Sequence, residues 1–496
     1  MQGIHYWIKK WSNIKPDKIA MIGEDEQWTY KQLNEKVEGV LHFLREDLNV
    51  KKGDKIAILS QNSAEFIALL FAIAALQCVA VPLNVRLTKK ELAYQINDSQ
   101  TSYLFYEETF AEVSGQLAQQ MKCQAVSMDR LASLKFAINV SDINYEVDEN
   151  EPFIICYTSG TTGSPKGAVL TQNNMFYNAL NNITAINITS DDRTIVLLPL
   201  FHIGGIGLFA FPTLFAGGTI VIAHKFDPDK VLQMLERERV TVVMGVPVMF
   251  QSMIDHPSFH QTDLSSVRLF YSGGAPCPIP LIQRYMDKGF TFGQGFGLTE
   301  TSPTVFMLPI ADIQRKMGSV GKPALFCDVK IVNESGEPVG ANEVGHLLVK
   351  GNNVFKEYWN LENETKKAFQ GDWFITGDLA SMDEEGFVYI AGREKEMIIS
   401  GGENIYPLEI EKVILSIEKI HEVAVIGMED QKWGEVPVAF VVLKDGEIMT
   451  KEAILSYCEN HLAKYKIPKR VHFLNELPRN STGKIQKNKL VHLIER

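Results

Sequence analysis

Cys-x-x-Cys pairs and metal-ligand spacings are absent from this sequence, so its six cysteines imply neither a disulfide framework nor a zinc site. Cys78, Cys123, Cys156, Cys277, Cys327 and Cys458 read as scattered core thiols of a reducing compartment. Positive charge is also short, with 49 Lys and Arg against 60 Asp and Glu and a net charge of -11, which excludes a general nucleic-acid surface. The N-terminus MQGIHYWIKKW lacks the uninterrupted apolar core and cleavage site of a secretory signal, and cytoplasm is the expected location. The run FIALLFAIAALQCVAVPLN approaches the ~20 residues of a bilayer span. Gln77 interrupts it, β-branched content rises towards Pro82, and Asn62 or Ser63 with Glu65 supplies a helix start. A buried helix followed by a strand is therefore expected, with no membrane span; peripheral contact with a membrane stays open.

Internal repeats and low-complexity segments are lacking too, and 45% apolar with 22% charged residues places the chain among globular proteins. At 496 residues it exceeds a single core and implies at least two domains. Apolar runs of strand length (KIAILS, CVAVPLN, TSYLFY, FIICYTS, TIVLLPL, GTIVIA, VTVVMGV, VRLFYSGG) alternate with helical stretches such as ELAYQIND and PDKVLQMLERER. Such alternation predicts an α/β fold of parallel-rich sheets flanked by helices, with ligand loops at the carboxyl ends of strands. After Pro323 short strands and the turns in NESGEPVG and MDEEGFVYI predict a small β-barrel-like unit. Beyond AGREKEMIISGGENIYP the order helix, strand, strand, helix, strand predicts a compact α+β unit. The expected division is residues 1–392, a charged link at 393–396, and a small mobile unit at 397–496.

A Walker loop is missing, since no lysine in a glycine-rich loop is followed by Ser or Thr at the required spacing. YTSGTTGSPKG, Tyr157 to Gly167, nevertheless reads as a phosphate cradle behind a buried strand. Gly160 and Gly163 free the backbone, Thr158, Ser159, Thr161 and Thr162 supply donors, and Lys166 supplies charge. GQGFGLTE ends in Glu300, a carboxylate suited to Mg²⁺, which takes few protein oxygens. TGD offers Asp378 on a glycine turn for the two hydroxyls of a ribose, and Arg393 could reach the same sugar or a phosphate. PRNSTGK puts Lys484 on a glycine turn near the end of the sequence. Taken singly, the last three also fit ordinary surface turns or a solvated tail.

Together and in order, YTSGTTGSPKG, LPLFHIGG, GQGFGLTE, TGD, AGREKEMIISGGENIYP and PRNSTGK resemble the signature set of the adenylate-forming superfamily: acyl-CoA synthetases, luciferases and peptide-synthetase adenylation domains. The resemblance runs from WTYKQLN to Lys484. It implies an enzyme in which a carboxylate attacks the α-phosphate of ATP, pyrophosphate leaves, and a thiol captures the acyl-adenylate. It further implies that Thr158 to Lys166 cradle the β- and γ-phosphates, Glu300 ligates Mg²⁺, Thr299 touches the α-phosphate, and Asp378 with Arg393 holds the ribose. Gly273, Gly274 and Ala275, with the turn Gln294, Gly295, Phe296 and Gly297, would flank the adenine and the acyl group. Lys484 would bridge carboxylate and α-phosphate. The small unit would then rotate about Lys395 so that Gly401, Gly402 and Glu403 line the channel for the thiol.

His202 stands where amino-acid-activating members of that family usually carry Asp, and it cannot partner a substrate ammonium. The run IGGIGLFAFPTLFAGG suggests either a glycine lining with room for an alkyl chain or ring, or a helix packed closely through its glycines. No carrier domain or phosphopantetheine site follows Lys484, so free coenzyme A is the expected thiol. GLTETSP and the apolar run look most like bacterial fatty-acyl-CoA ligases, whereas KWGEVPVAF and LAKYKIP look similar to o-succinylbenzoate-CoA ligases, leaving an aryl acid as the alternative. A stand-alone loader of a carrier protein and a sensor that lost the chemistry are further alternatives.

Overall fold

A computed structural model describes residues 1–24, 26–134, 143–158, 165–401, 403–479 and 484–493. All eight apolar runs quoted above are strands, Lys55–Leu59, Val79–Pro82, Tyr103–Tyr106, Pro152–Thr158, Arg193–Val196, Thr219–Ile222, Val242–Gly245 and Leu269–Ser272. They fall into two large sheets. The seven-stranded sheet runs in the order Glu357–Tyr358, Lys166–Thr171, Pro152–Thr158, Val79–Pro82, Lys55–Leu59, Tyr103–Tyr106, Gln124–Ser127. The nine-stranded sheet has Leu269–Ser272, Val242–Gly245, Arg193–Val196, Thr219–Ile222 and Ile19–Ile22 as parallel neighbours.

The near-bilayer-length run is a helix, Ala64–Ala75, followed by the strand Val79–Pro82. The Ser63 hydroxyl caps it by accepting the Phe66 N–H at 3.1 Å, which satisfies one of the free donors of the first turn. From Phe66 to Ala74 every residue is buried, because the helix lies in the core that joins the two large sheets, with Ile56 and Ile58 of one and Ile220 and Ile222 of the other. A helix covered on all sides has no polar face, and this is the reason its sequence resembles a span. No described helix is long and apolar enough to cross a membrane. Five cysteines are buried, Cys123 is half-buried, and all six are free.

Beyond Pro323 the chain forms an antiparallel sheet of Cys327–Val332, Gly345–Gly351, Trp373–Met382, Phe369–Gln370 and Val388–Arg393. Both expected turns are present: Gly336 and Gly386 adopt φ of 81° and 82°, and the amides of Asn333 and Asp383 bond across to Glu337 and Phe387. A short 3₁₀ turn, Glu394–Glu396, then leads into a last sheet containing Ile398–Ser400, Glu403–Ile405, Gly434–Leu443, Ile420–Asp430 and Arg470–Phe473. Helices Pro407–Leu415 and Lys451–Glu459 bury Ile410, Ile414, Ile454 and Cys458 against it. The α/β architecture and the small α+β C-terminal unit match the expectation, with antiparallel pairing in the two large sheets confined to the flanks and to the strand pair Pro152–Thr158 and Lys166–Thr171.

Phe71 and Phe211, both fully buried, stack at 5.0 Å in the core between the sheets. Phe71→Ala should lower unfolding free energy by about 3 to 5 kcal/mol in a urea titration. A loss under about 1 kcal/mol would mean that this helix does not hold the sheets together.

Candidate active site

Thr158 closes the strand Pro152–Thr158 and pairs directly with Lys166, the first residue of the antiparallel strand Lys166–Thr171. The residues between them that carry the remaining donors, Ser159, Gly160, Thr161, Thr162 and Gly163, lie outside the described residues, as does Gly402. The Lys166 ammonium meets Glu364 Oε2 at 2.6 Å and sits 5.3 Å from the centre of the Tyr358 ring. The Tyr358 hydroxyl donates to Glu300 Oε1 at 2.8 Å, and burial together with the Glu300 charge pushes that phenol far above its ordinary value. Glu300 belongs to the 3₁₀ turn Thr299–Thr301, and its carbonyl accepts the Phe355 N–H at 2.7 Å. One chain of contacts therefore joins Lys166 to Glu300 across the two large sheets.

TGD is not a turn between elements, as the sequence suggested, but a bulge inside the strand Trp373–Met382. Thr376, Gly377 and Asp378 stand against the single residue Leu347, and Gly377 takes φ 70° to accommodate them. The Thr376 hydroxyl ties the bulge down, donating to the Leu347 carbonyl at 2.8 Å and accepting the Asp378 N–H at 3.0 Å. Asp378 faces Arg393 on the neighbouring strand, with Oδ1 at 2.9 Å from Arg393 Nε. Its other oxygen, Oδ2, is buried with no hydrogen-bond partner. Loss of water raises the Asp378 carboxyl to about 6, opposed by Arg393 and Lys484 and reinforced by Glu300 and Glu396.

Lys484 keeps exposed surface, yet its ammonium is drawn below the usual lysine value, first by lost hydration and then by Arg393, with Glu396 and Asp378 acting in the opposite sense. Lys395, in the turn Glu394–Glu396, adds to the depression. Lys487, the first residue of the short helix Lys487–Val491, bonds Glu411 at 2.7 Å and Glu396 at 3.2 Å, which holds this end of the C-terminal unit against the turn Glu394–Glu396. Glu300, Arg393 and Lys484 thus all come within electrostatic range of Asp378 although the four are spread over nearly two hundred positions of sequence. Gly401 and Glu403 are not part of this group. They form the tip of the hairpin Ile398–Ser400 and Glu403–Ile405, where the Gly401 N–H donates to the Trp433 carbonyl at 2.7 Å.

Gly273, Gly274 and Ala275 follow the strand Leu269–Ser272 at its carboxyl end, Gly274 with φ 79°. Gln294, Gly295 and Phe296 are strand rather than turn, within Phe292–Phe296. The Gln294 side chain is buried and donates to the Ser319 carbonyl at 2.9 Å, so its amide braces the sheet. A Cβ on Gly295 or Gly297 would collide with the carbonyls of Phe306 or Pro303, so these glycines serve close packing. The same holds for the run after His202. Side chains at Gly204, Gly205 and Gly207 would meet His202 Nδ1, the Pro199 carbonyl and the Ser302 carbonyl, leaving the close-packing reading of that run as the one the structure supports. His202 Nδ1 accepts the Gly204 N–H at 3.0 Å, and burial lowers its pKa, so the ring is neutral with its proton on Nε2.

Tyr358, Glu364 and Asn62 were not expected in this site. Asn62 is buried and donates to the carbonyls of Leu198 and Ala223 while accepting the Leu200 N–H, which fixes the His202 loop to both sheets. Nothing local in QNSAEF or EYWNLENET marks these residues, since their partners are far away in sequence.

A family model of AMP-binding enzymes matches residues 8–359, and one of the AMP-binding enzyme C-terminal domain matches residues 409–484. Feruloyl-CoA synthase of an Amycolatopsis species is 38% identical over 99% of this chain and 98% of its own length. Indoleacetate–CoA ligase of Aromatoleum aromaticum is 38% identical over the same shares. Among solved structures, o-succinylbenzoate CoA synthetase of Bacillus subtilis with its acyl-adenylate superposes with a TM-score of 0.89 at 35% identity, covering 99% of this chain and 98% of that one. That enzyme has also been solved with ATP and a magnesium ion.

The chain belongs to the AMP-binding, adenylate-forming enzyme family. It is an AMP-forming acid:CoA ligase using ATP with magnesium and coenzyme A. The residues present suit that nucleotide: the buried, partnerless Asp378 Oδ2 is an acceptor that a sugar hydroxyl would satisfy, and the single carboxylate of Glu300 suits an ion that keeps most of its waters.

Because the Asp378 carboxyl lies near 6 rather than 3.8, its ionised form is disfavoured in the folded chain. That penalty is absent below about pH 4 and complete above about pH 6, so stability falls as pH rises through this window. Asp378→Asn removes the titration. In denaturant unfolding of the ligand-free chain, the variant should gain on the parent by up to about 3 kcal/mol between about pH 4 and pH 7 and then level off. A difference independent of pH would place this carboxyl in the ordinary range.

Proposed function

We propose that the chain activates a compact aryl or arylalkyl carboxylic acid as its adenylate and transfers the acyl group to the thiol of coenzyme A. The observation that carries the acid class is the tight packing of the glycine run: a Cβ on Gly205 or Gly207 would collide with the carbonyls of Pro199 or Ser302, which supports a role for these glycines in admitting neighbouring backbone and not in widening a channel for a long alkyl chain. The relatives named above for ferulate, indoleacetate and succinylbenzoate support the same class, and the neutral His202 argues against a substrate ammonium. A fatty acid, the first expectation from sequence, has less support than the aryl alternative.

In this reading Thr158 and Lys166 hold the β- and γ-phosphates, Thr299 the α-phosphate, Glu300 a magnesium ion, and Asp378 with Arg393 the ribose. Magnesium supplies neutralisation of phosphate charge when bound. The acid's carboxylate oxygen attacks the α-phosphorus as the bond to pyrophosphate breaks, and Lys484, attracted by Asp378 and Glu396 and repelled by Arg393, balances charge between the two oxygens. The thiol sulfur then attacks the acyl carbon and AMP leaves. For that second step the unit 397–496 turns about the link 393–396, at Lys395, removing Lys484 and bringing up Gly401, Gly402 and Glu403.

ATP–pyrophosphate exchange over a panel of acids tests the substrate class. Aryl and arylalkyl acids should exceed long-chain fatty acids by roughly tenfold or more, a gap of about 1.4 kcal/mol in transition-state binding; the reverse order would overturn the assignment. Separating the half-reactions tests the roles. Lys484→Ala should lower adenylate formation roughly a hundredfold or more while sparing thioester formation from supplied adenylate. Lys395→Pro, which fixes φ at the link, should do the opposite. Equal losses in both half-reactions for either variant would contradict the division of labour.

A further inference from the structure

Lys166 has only 13% of its side-chain surface exposed, and an ammonium so withdrawn needs a counter-charge. Its partner is Glu364, at 2.6 Å in a short charge-assisted contact. The placement of Glu364 is built in by three backbone and side-chain contacts. Glu357–Tyr358 pairs with the strand that Lys166 begins, the Trp359 N–H donates to the Gly167 carbonyl at 2.8 Å, and the Tyr358 N–H bonds Thr365 Oγ1 at 2.9 Å. The short helix Glu362–Ala368 is thereby pinned beside the phosphate strand with Glu364 facing the lysine. The other carboxylate oxygen of Glu364 pairs with Lys367 at 3.1 Å, so Glu364 keeps a partner if Lys166 leaves.

We propose that Glu364 is a positioning residue that occupies the Lys166 ammonium between turnovers, yields it to the phosphates of the nucleotide, and takes it back as pyrophosphate departs. A carboxylate and a polyphosphate compete for the same cation, and each weakens the other's hold. Glu364 therefore sets ATP affinity below what Lys166 alone would give and eases pyrophosphate release. Tyr358 touches both groups, its ring near the Lys166 ammonium and its hydroxyl on Glu300, and the bond to Glu300 does not depend on which partner the ammonium holds. The inference rests on the reading of Lys166 as a phosphate ligand.

The test is equilibrium binding of ATP and of pyrophosphate to the full-length chain, at low and at high salt, for the parent, Glu364→Gln, Glu364→Asp and Lys166→Met. Glu364→Gln should tighten both ligands by roughly three- to tenfold, an effect that shrinks as salt screens the pair, with Glu364→Asp smaller. Unchanged or weaker binding in Glu364→Gln, with Lys166→Met weakening both ligands, would overturn the competition while leaving the phosphate role of Lys166 intact. Unchanged binding in Lys166→Met would instead remove the reading on which the inference rests. A brace without competition would shift only the unfolding midpoint of Glu364→Gln.

Discussion

The pairing of Asp378 with Arg393 is the constraint around which the rest of the site is arranged. A carboxylate buried to this depth is costly unless paired, and only one of its oxygens has a protein partner. The bulge at Gly377 creates the problem by turning the side chain inward, and the adjoining strand answers it with Arg393 directly opposite. Arg393 is also the last residue of its strand before the 3₁₀ turn that leads into the C-terminal unit. The group that neutralises the buried carboxylate and the start of the link are therefore the same position. A rotation of the small unit would begin immediately beside the charge that the ribose is proposed to meet.

Two further cations extend this field. Lys484 approaches from the C-terminal unit and loses proton affinity first through lost hydration and then through Arg393 and Lys395, while Glu396 and Asp378 act in the opposite sense. Lys166 approaches from the seven-stranded sheet, on the strand next to its edge, held by Glu364. Between them stands Glu300, carried by the turn after the strand Phe292–Phe296 and fastened to the other sheet through Tyr358 and the Phe355 amide. The polar groups thus come from both large sheets, the adjoining antiparallel sheet and the C-terminal unit.

Much of this was legible in the linear pattern. The eight apolar runs are strands, the run from Phe66 is a capped buried helix, and the glycine turns after Pro323 fall where positive φ is needed. Local rules suffice for these because the determining partners are near neighbours in sequence. They fail at TGD and GQGF. A Thr-Gly-Asp step satisfies a turn and a bulge equally well, and the choice came from Leu347 and Arg393 on adjoining strands. Glycines at 204, 205, 207, 295 and 297 look alike whether they border a cavity or admit a neighbouring backbone. The carbonyls of Pro199, Ser302, Phe306 and Pro303 decided four of them, and the His202 ring the fifth.

By itself the sequence determined the element types and, through its ordered motifs, the family. Those follow from residue chemistry and short-range geometry. Only the tertiary structure decided that Glu364 neutralises Lys166, that Tyr358 joins Lys166 to Glu300, that Asn62 fastens the His202 loop, and that Lys484 rather than the Gly401 hairpin is in range of Asp378. Each of these depends on charges or hydrogen-bonding atoms separated by scores to hundreds of residues. Only the packing of the sheets and the C-terminal unit brings them within range of one another.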